Sequence, residues 1–159
     1  MQQNYGNTRY PKEGGQRSSY PPSKNRMDKR EEDFNKDIND RLGIYLDEIL
    51  ASEKKDYNSY FQALKAYIKE DADKISTSQL RNIFTQVKKA KIPKDLTLLR
   101  PKLAYVSGRS DKDGMRRLIF LFDYLIKQVK DEKQVIEFKN FFESIIAYHK
   151  YFGGKEWAN

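Results

Sequence analysis

The chain of 159 residues is long enough for one domain with a sizeable core, and it carries a net charge of +8 with a mean hydropathy of −0.92. It contains no cysteine, which excludes disulfides, thiolate metal sites and cysteine nucleophiles. The N-terminus lacks the apolar region of a secretory signal, and no apolar run approaches the roughly 20 residues that cross a bilayer, so we expect a cytoplasmic protein with no membrane partner.

The charge is distributed unevenly along the chain. Residues 31–74 hold seven Lys and Arg against twelve Asp and Glu, whereas residues 75–117 hold eleven against three. A solvated helical surface normally mixes both signs. The excess of one sign in residues 75–117 therefore indicates a polyanionic partner.

Residues 1–33 are rich in Gln, Gly, Pro, Ser and Arg and show no period of 2 or 3.6, which predicts a disordered basic tail. The tyrosines of this tail lie between basic residues, a pattern typical of proteins that bind single-stranded nucleic acid loosely. The alternative is a tail that only improves solubility. Residues 34–55 predict an acidic N-terminal helix or extension, and residues 56–159 a helical bundle domain. The first two helical patterns, around Ile38–Ile49 and Tyr57–Ile68, form either two helices or one long bent helix.

The clearest helix start is Ser76, which can act as an N-cap with Gln79 as its capping-box partner. Arg81 and Lys88 lie on a stripe beside the buried face of this helix, and Pro93 ends or restarts it. In the segment RPKLAYVSGR (100–109), Pro101 either kinks the next helix or begins a new one, and Gly108 lies either inside it or just past its end. Lys102, Tyr105 and Arg109 fall on one side of this helix, beside its buried face.

Two further helices complete the predicted fold. After a loop at residues 110–114, the helix from Met115 is apolar almost all round, so we expect it to be central or shared with another subunit through residues such as Phe120 and Tyr124. The last helix runs from about Lys133 to Phe152, and two glycines, Gly153 and Gly154, stop it. Together these elements predict an all-α bundle of about five helices.

The sequence gives little support for catalysis. His149 is the only histidine, which excludes any metal site with two histidines, and it lies on an apolar face, where a structural or interface role is favoured. The acidic turn at Asp111–Gly114 resembles the start of a calcium loop, but its twelfth position is Phe122 instead of Glu. No phosphate-binding glycine motif is present. We therefore expect no enzyme activity, no cofactor and no metal.

Nucleic-acid binding fits the basic segment better. If the two helices pack as neighbours, their basic stripes form one groove, and Tyr105 either stacks on a base or sugar or lies half-buried in the core. Phosphate contacts dominate affinity and carry no sequence information, so we expect binding that is independent of sequence. The candidate contacts are Arg81, Lys88, Lys102, Tyr105, Arg109, Arg116 and Arg117. The alternative is a helical protein–protein adaptor with a basic face for an acidic partner, which the apolar run 118–126 and the acidic residues 31–74 keep open.

Three segments, STSQLRNIF (76–84), RPKLAYVSGR (100–109) and IIAYHKYFGGK (145–155), closely resemble the small subunit of type III-A CRISPR effector complexes, the Csm complexes. The similarity spans about residues 56–155. It implies RNA contacts at Arg81, Lys102, Arg109 and Lys150, and structural or subunit-contact roles for His149, Gly153 and Gly154. In this family the chain after Gly108 and Arg109 often continues as a helix, whereas the sequence SDKDG interrupts it here.

The resemblance also implies a function and a set of partners. It implies a non-catalytic helical bundle of which several copies line a ribonucleoprotein filament used in antiviral defence. The copies would form one wall of the channel that holds the guide RNA–target RNA duplex and would contact mainly the target strand backbone. The backbone subunits and the large subunit would be the protein partners and would carry the catalytic activities.

Overall fold

The computed structural model describes residues 23–154, with side chains from residue 29 onward. This part of the chain is helical and contains no strand, so the predicted all-α bundle is confirmed. Two short elements, α2 and α5, add to the helices expected from the sequence. The helices are α1 (Ser23–Leu42), α2 (Tyr45–Glu48), α3 (Tyr57–Asp71), α4 (Thr77–Val87), α5 (Pro93–Thr97), α6 (Arg100–Arg109), α7 (Asp113–Ile126) and α8 (Glu132–Tyr151), and a 3-10 turn (Ala72–Lys74) follows α3.

Helix α1 begins earlier than the sequence indicates. Residues 23–33 were predicted to belong to the tail but are helical in the structure, and residues 1–22 of that predicted tail lie outside the described residues. Lys, Arg and Glu are good helix formers, so this stretch can be helical without an apolar period. Phe34, Ile38 and Leu42, spaced four apart, are buried on one side of α1, and Ile38 and Leu42 belong to the same core as the other helices.

The first two helical patterns form separate helices and not one bent helix. Gly43 follows α1 with a φ of +53°, a conformation in which a side chain would be strained. Helix α3 has its own start, because Asp56 accepts a hydrogen bond from the backbone N–H of Asn58 at 3.0 Å. The acidic segment between these points packs into the main core through Leu46 and Ile49, so the body of the protein includes it.

The helix starts predicted from a capping serine and from prolines are confirmed. Ser76 accepts a hydrogen bond from the backbone N–H of Gln79 at 3.3 Å and begins α4. Pro93 lies in the first turn of α5 and Pro101 in the first turn of α6, so both prolines restart helices. Gly108 lies inside α6 and does not end it.

Helices α7 and α8 form the centre of the bundle. Helix α7 is buried on most sides against α1, α5 and α6, as its apolar sequence predicts for a central helix. The ring of Phe122 stacks on Phe142 with centroids 4.3 Å apart and meets the edges of Phe138 and Phe141 at 6.2 Å. All four rings are fully buried, so this aromatic cluster fixes the distance between the two helices.

Helix α8 packs against α3, α4 and α5, and its contacts show the directions in which α3 and α4 run. Near its start, Glu137 contacts Lys54, which precedes α3, while near its end His149 contacts Ala72, which follows α3. The two helices therefore run in the same direction. Phe84 of α4 stacks on Phe142, and His149 also reaches Ile75 just before α4, so α4 runs antiparallel to α8.

The start of α7 depends on a glycine. The helix begins at Asp113, inside the predicted loop 110–114, and Gly114 faces the end of α3. A Cβ at Gly114 would lie 2.7 Å from the Cβ of Lys74 and 3.1 Å from that of Asp71. Glycine therefore allows α7 to approach α3 and the 3-10 turn closely enough for Asp71 to meet Arg117.

Candidate nucleic-acid interface

Helix α6 presents a basic and aromatic surface to solvent. Lys102, Tyr105 and Arg109 are all exposed, while Leu103 holds the opposite side in the core. The Tyr105 side chain is 63% exposed, which favours its availability for stacking over the half-buried core position. Arg109 donates a hydrogen bond from Nη1 to the Tyr105 hydroxyl at 3.3 Å and lies 5.5 Å from the ring centroid.

Helix α4 carries the second basic stripe. Arg81 and Lys88 are exposed, two turns apart, on the side that the helical period predicts. The Lys88 amine lies 5.1 Å from the centroid of the Phe84 ring, and Phe84 in turn packs against the core. The stripe is thus anchored by the same helix face that contacts α8.

The two stripes converge at one end and do not run side by side. Helix α4 packs mainly on α8 and α6 mainly on α7, so the side-by-side packing considered from the sequence does not occur. Arg109 instead reaches the beginning of α4, where it lines a depression of about 300 Å³ together with Lys74, Lys112 and the capping residue Ser76. Arg81 lies one turn further along α4, and Lys88 lies at its far end.

The turn after α4 and the first turn of α5 add a lysine cluster that the helical period did not indicate. Lys89, Lys91 and Lys94 are exposed beside Lys88. The Asp95 carboxylate accepts hydrogen bonds from the backbone N–H groups of Lys91 at 2.8 Å and of Ile92 at 3.1 Å, and these bonds lower the pKa of Asp95. The missed signal was the charge run KKAKIPK itself, which has no helical period.

The fold pairs two of the candidates, Arg116 and Arg117, with carboxylates. Arg116 donates to Asp113 at 3.2 Å, and its side chain is 21% exposed. Arg117 makes two hydrogen bonds to Asp71, from Nη2 to Oδ1 at 2.7 Å and from Nε to Oδ2 at 3.3 Å. The charge of Arg117 is therefore balanced inside the protein.

Asp71 is the centre of this ion-pair cluster. Its side chain is only 6% exposed, and Arg41 of α1 donates to it at 3.1 Å, opposite Arg117 of α7. Burial alone would raise the pKa of Asp71, but the hydrogen bonds from Arg117 and Arg41 outweigh burial and hold the pKa below its ordinary value. Asp71 thus joins α1, α3 and α7 through one carboxylate.

His149 is buried, and its ring contacts backbone carbonyls at the two ends of the 3-10 turn. Its Nε2 lies 3.0 Å from the carbonyl oxygen of Ala72 and 3.1 Å from that of Ile75, so Nε2 carries the proton and donates. Gly153, with a φ of +70°, and Gly154 end α8 by hydrogen bonds to the carbonyls of Lys150 and His149, at 3.0 Å in each case. A Cβ on Gly154 would overlap the His149 ring.

Acidification should destabilise the fold through His149. Burial lowers the pKa of His149 in the folded protein, whereas its ordinary value is about 6.5. The unfolded state binds the proton more readily, so this contribution to stability is complete above about pH 6.5 and is lost as the pH falls through the folded pKa. Urea unfolding between about pH 7.5 and pH 5 should show a steeper loss for the wild type than for His149→Gln. Equal losses in the two proteins would contradict this assignment.

The remaining three candidates, Lys150, Phe120 and Tyr124, differ in their exposure and packing. Lys150 is exposed on α8. Phe120 is partly buried, with its ring centroid 5.9 Å from that of Phe34, and it lines a cleft of about 700 Å³ between α1, α6 and α7. Tyr124, one turn later on α7, packs partly against the core. Contacts of Phe120 and Tyr124 with another subunit therefore remain predictions.

Residues 23–154 contain neither a membrane-spanning helix nor a cluster of metal-ligand side chains. No helix between residues 23 and 154 combines the length and apolar character needed to cross a bilayer. In the same part of the chain, no group of three or more His, Cys, Asp or Glu side chains comes together in a way that could hold a metal ion.

Comparison with known proteins identifies the family. The chain matches no curated protein and no solved structure. A family model described as Csm2 Type III-A matches residues 51–155, about two-thirds of the chain. The match covers α3 to α8 and includes every candidate contact residue on α4, α6 and α8. The chain therefore belongs to the Csm2 Type III-A family and is a subunit of the type III-A CRISPR effector complex.

Proposed function

We propose that this protein is the non-catalytic, RNA-binding small subunit of its effector complex and acts in antiviral defence in the cytoplasm. It contacts the backbone of the target strand in the guide RNA–target RNA duplex through the exposed basic side chains of α4 and α6. The observation that carries the proposal is the convergence of Arg109, Lys74 and Lys112 on the first turn of α4, beside Arg81. The remaining contacts are Lys88, Lys102, Tyr105, Lys150 and, at the edge, Arg116.

A surface of this kind is suited to phosphate and not to base edges. The deep, narrow major groove of an A-form duplex does not admit side chains, so proteins recognise such duplexes mainly through the backbone and the 2′-hydroxyls. Lysine and arginine side chains on helix surfaces can follow that backbone without reading sequence. We therefore expect binding that depends strongly on salt and little on sequence.

The chemistry of the chain agrees with a non-catalytic role. The single histidine is buried, and its Nε2 is bound to two backbone carbonyls, so it is not available as a general base at a surface. In the proposal, catalysis belongs to other subunits of the complex. The partners of this chain are the backbone subunits, the large subunit and further copies of itself.

Charge reversal on α6 should weaken RNA binding. We expect Lys102→Glu with Arg109→Glu to reduce affinity for an RNA duplex about ten-fold or more, because two charge-assisted phosphate contacts are lost. The log–log salt slope should fall by about 0.7–0.9 for each lost contact. Fluorescence anisotropy at several salt concentrations measures both quantities.

The matched control makes an equal change in net charge outside the proposed surface. Lys55→Glu with Lys133→Glu alters two exposed lysines outside the proposed surface and should leave the salt slope nearly unchanged. Circular dichroism should show equal helicity in both variants. If both double variants lose affinity equally, net charge explains the effect and the assignment of the surface to α6 is wrong.

The protein–protein adaptor is the second candidate function. The apolar cleft of about 700 Å³ beside Phe120 favours it, since an exposed apolar cleft can accept a protein side chain. Native purification of the tagged chain discriminates between the two. An RNA-containing particle supports the RNA-binding subunit, whereas a stable complex without RNA supports the adaptor.

A further inference from the structure

A second surface, on the α3 side of α8, combines aromatic rings with lysines. We name it the aromatic–lysine strip and define it as Tyr57, Phe61, Lys65 and Lys69 of α3 with Tyr151 of α8. The three aromatic side chains are among the most exposed large apolar groups of the described residues, at 48%, 38% and 68% for Tyr57, Phe61 and Tyr151. Exposure of this extent leaves ring faces open to solvent.

The strip is continuous along α3. Its four α3 residues are spaced four apart, so they follow one side of the helix over about 18 Å. The ring centroids of Tyr57 and Phe61 are 6.2 Å apart. The amine of Lys65 lies 4.3 Å from the centroid of the Tyr151 ring, which connects α3 with the end of α8.

The strip itself carries two positive charges, from its two lysines, and no carboxylate. Two of the three neighbouring carboxylates are paired with cations, whereas Asp56 accepts hydrogen bonds from neutral groups and keeps its charge. Asp56 caps the start of α3, and Glu137 forms an ion pair at 3.1 Å with the buried amine of Lys54. Glu70 lies 2.9 Å from the guanidinium of Arg41. The two lysines of the strip have no carboxylate within ion-pair distance among the described residues, so they remain available to an anion.

We propose that the aromatic–lysine strip binds single-stranded RNA, with bases stacked on the rings of Tyr57, Phe61 and Tyr151 and phosphates paired with Lys65 and Lys69. Proteins that bind single strands combine a basic track with rings on which successive bases stack. An unpaired strand offers free base faces, whereas a duplex does not. The inference goes beyond the proposed function, which concerns phosphate contacts made by α4 and α6.

Leucine substitutions test the stacking. Tyr57→Leu, Phe61→Leu and Tyr151→Leu, combined in the full chain, keep apolar side chains but remove the rings. We expect affinity for an unstructured RNA of about 12 nucleotides to fall at least about ten-fold, since alanine scanning assigns a sizeable part of affinity to each stack. The salt slope should not change, because no phosphate contact is removed. Lys65→Gln with Lys69→Gln should instead lower the salt slope.

Three further variants distinguish a loss of stacking from misfolding. Tyr151 is 68% exposed, so Tyr151→Leu alone should reduce affinity at least about five-fold with an unchanged thermal midpoint. Ile44→Ala with Ile136→Ala removes exposed apolar groups outside the strip and should bind single-stranded RNA as the wild type does. Tyr151→Trp, which keeps a ring, should retain the affinity that Tyr151→Leu loses.

The outcomes separate the strip from the basic surface. Loss of single-strand affinity in the leucine variant, with duplex affinity unchanged, supports the strip even if charge reversal on α6 has no effect. Wild-type single-strand affinity in the leucine variant overturns the inference and leaves the proposed function untouched. Unchanged RNA binding together with lost co-purification of the other effector subunits also overturns it, since the strip would then be a protein contact.

Discussion

Replacing Asp71 with alanine should lower the free energy of unfolding by about 2–3 kcal/mol, because the change removes the charge-assisted hydrogen bonds that Asp71 accepts from Arg117 and Arg41. Arg41 keeps ion pairs with Asp37 and Glu70, whereas Arg117 keeps a 3.9 Å contact with Asp37. Arg41 and Arg117 have side chains that are 14% and 23% exposed, so water can replace the lost partner only in part. Asp71 also joins three helices, and its loss should loosen α1 and α7 together. Urea denaturation followed by circular dichroism measures the change.

Asp73 provides the control for this substitution. It lies two residues away in the 3-10 turn and is exposed, so Asp73→Ala should change stability by no more than about 0.5 kcal/mol. The pH dependence gives an independent check. Because the pKa of Asp71 is lowered on folding, its contribution is complete above its ordinary value of 3.8 and is lost as the pH falls through the folded pKa. An Asp71→Ala variant as stable as Asp73→Ala would show that the cluster contributes little.

Replacing Phe122 with alanine should cost about 3–5 kcal/mol of unfolding free energy. The ring is fully buried and contacts three other phenylalanines, so its removal leaves a cavity between α7 and α8 that rigid neighbouring rings cannot fill. Phe122→Leu keeps more of the volume and should cost about 1.5 kcal/mol. Thermal and urea unfolding of the two variants measure the difference.

Phe120, two residues earlier on α7, is the matched aromatic control. It is only partly buried, and among the residues that the structure describes its ring meets only that of Phe34, so Phe120→Ala should cost less than half as much as Phe122→Ala. Equal costs at the two positions would mean that the aromatic cluster is not the centre of the core.

Local sequence chemistry accounts for much of the predicted fold. Ser76 begins α4, Pro101 begins α6, and Gly153 with Gly154 ends α8, because caps, prolines and glycines act within a few residues. The start of α1 was missed because its first turns are charged and have no apolar period. Helix propensity alone does not distinguish such a stretch from a tail.

The sequence indicated which residues could form the candidate site, but not how they are arranged in space. Helical period placed Lys102, Tyr105 and Arg109 on one side of their helix and left the exposure of Tyr105 open, and the structure places all three at the surface. The pairing of Arg117 with Asp71, 46 residues apart, depends on how α3 and α7 pack, and no local pattern encodes that packing. For the same reason the sequence did not show that α4 and α6 meet only at one end.

The position of α8 has a consequence for biosynthesis. This helix leaves the ribosome after α3, α4 and α5, yet all three pack against it, and its contacts with the region of α3 join residues 77 and 83 positions apart. At about 5–20 residues per second, the nascent chain spends seconds with the partner faces of these helices uncovered. Native structure is therefore reached only after α8 is complete, so incorporation into the effector complex follows translation of α8.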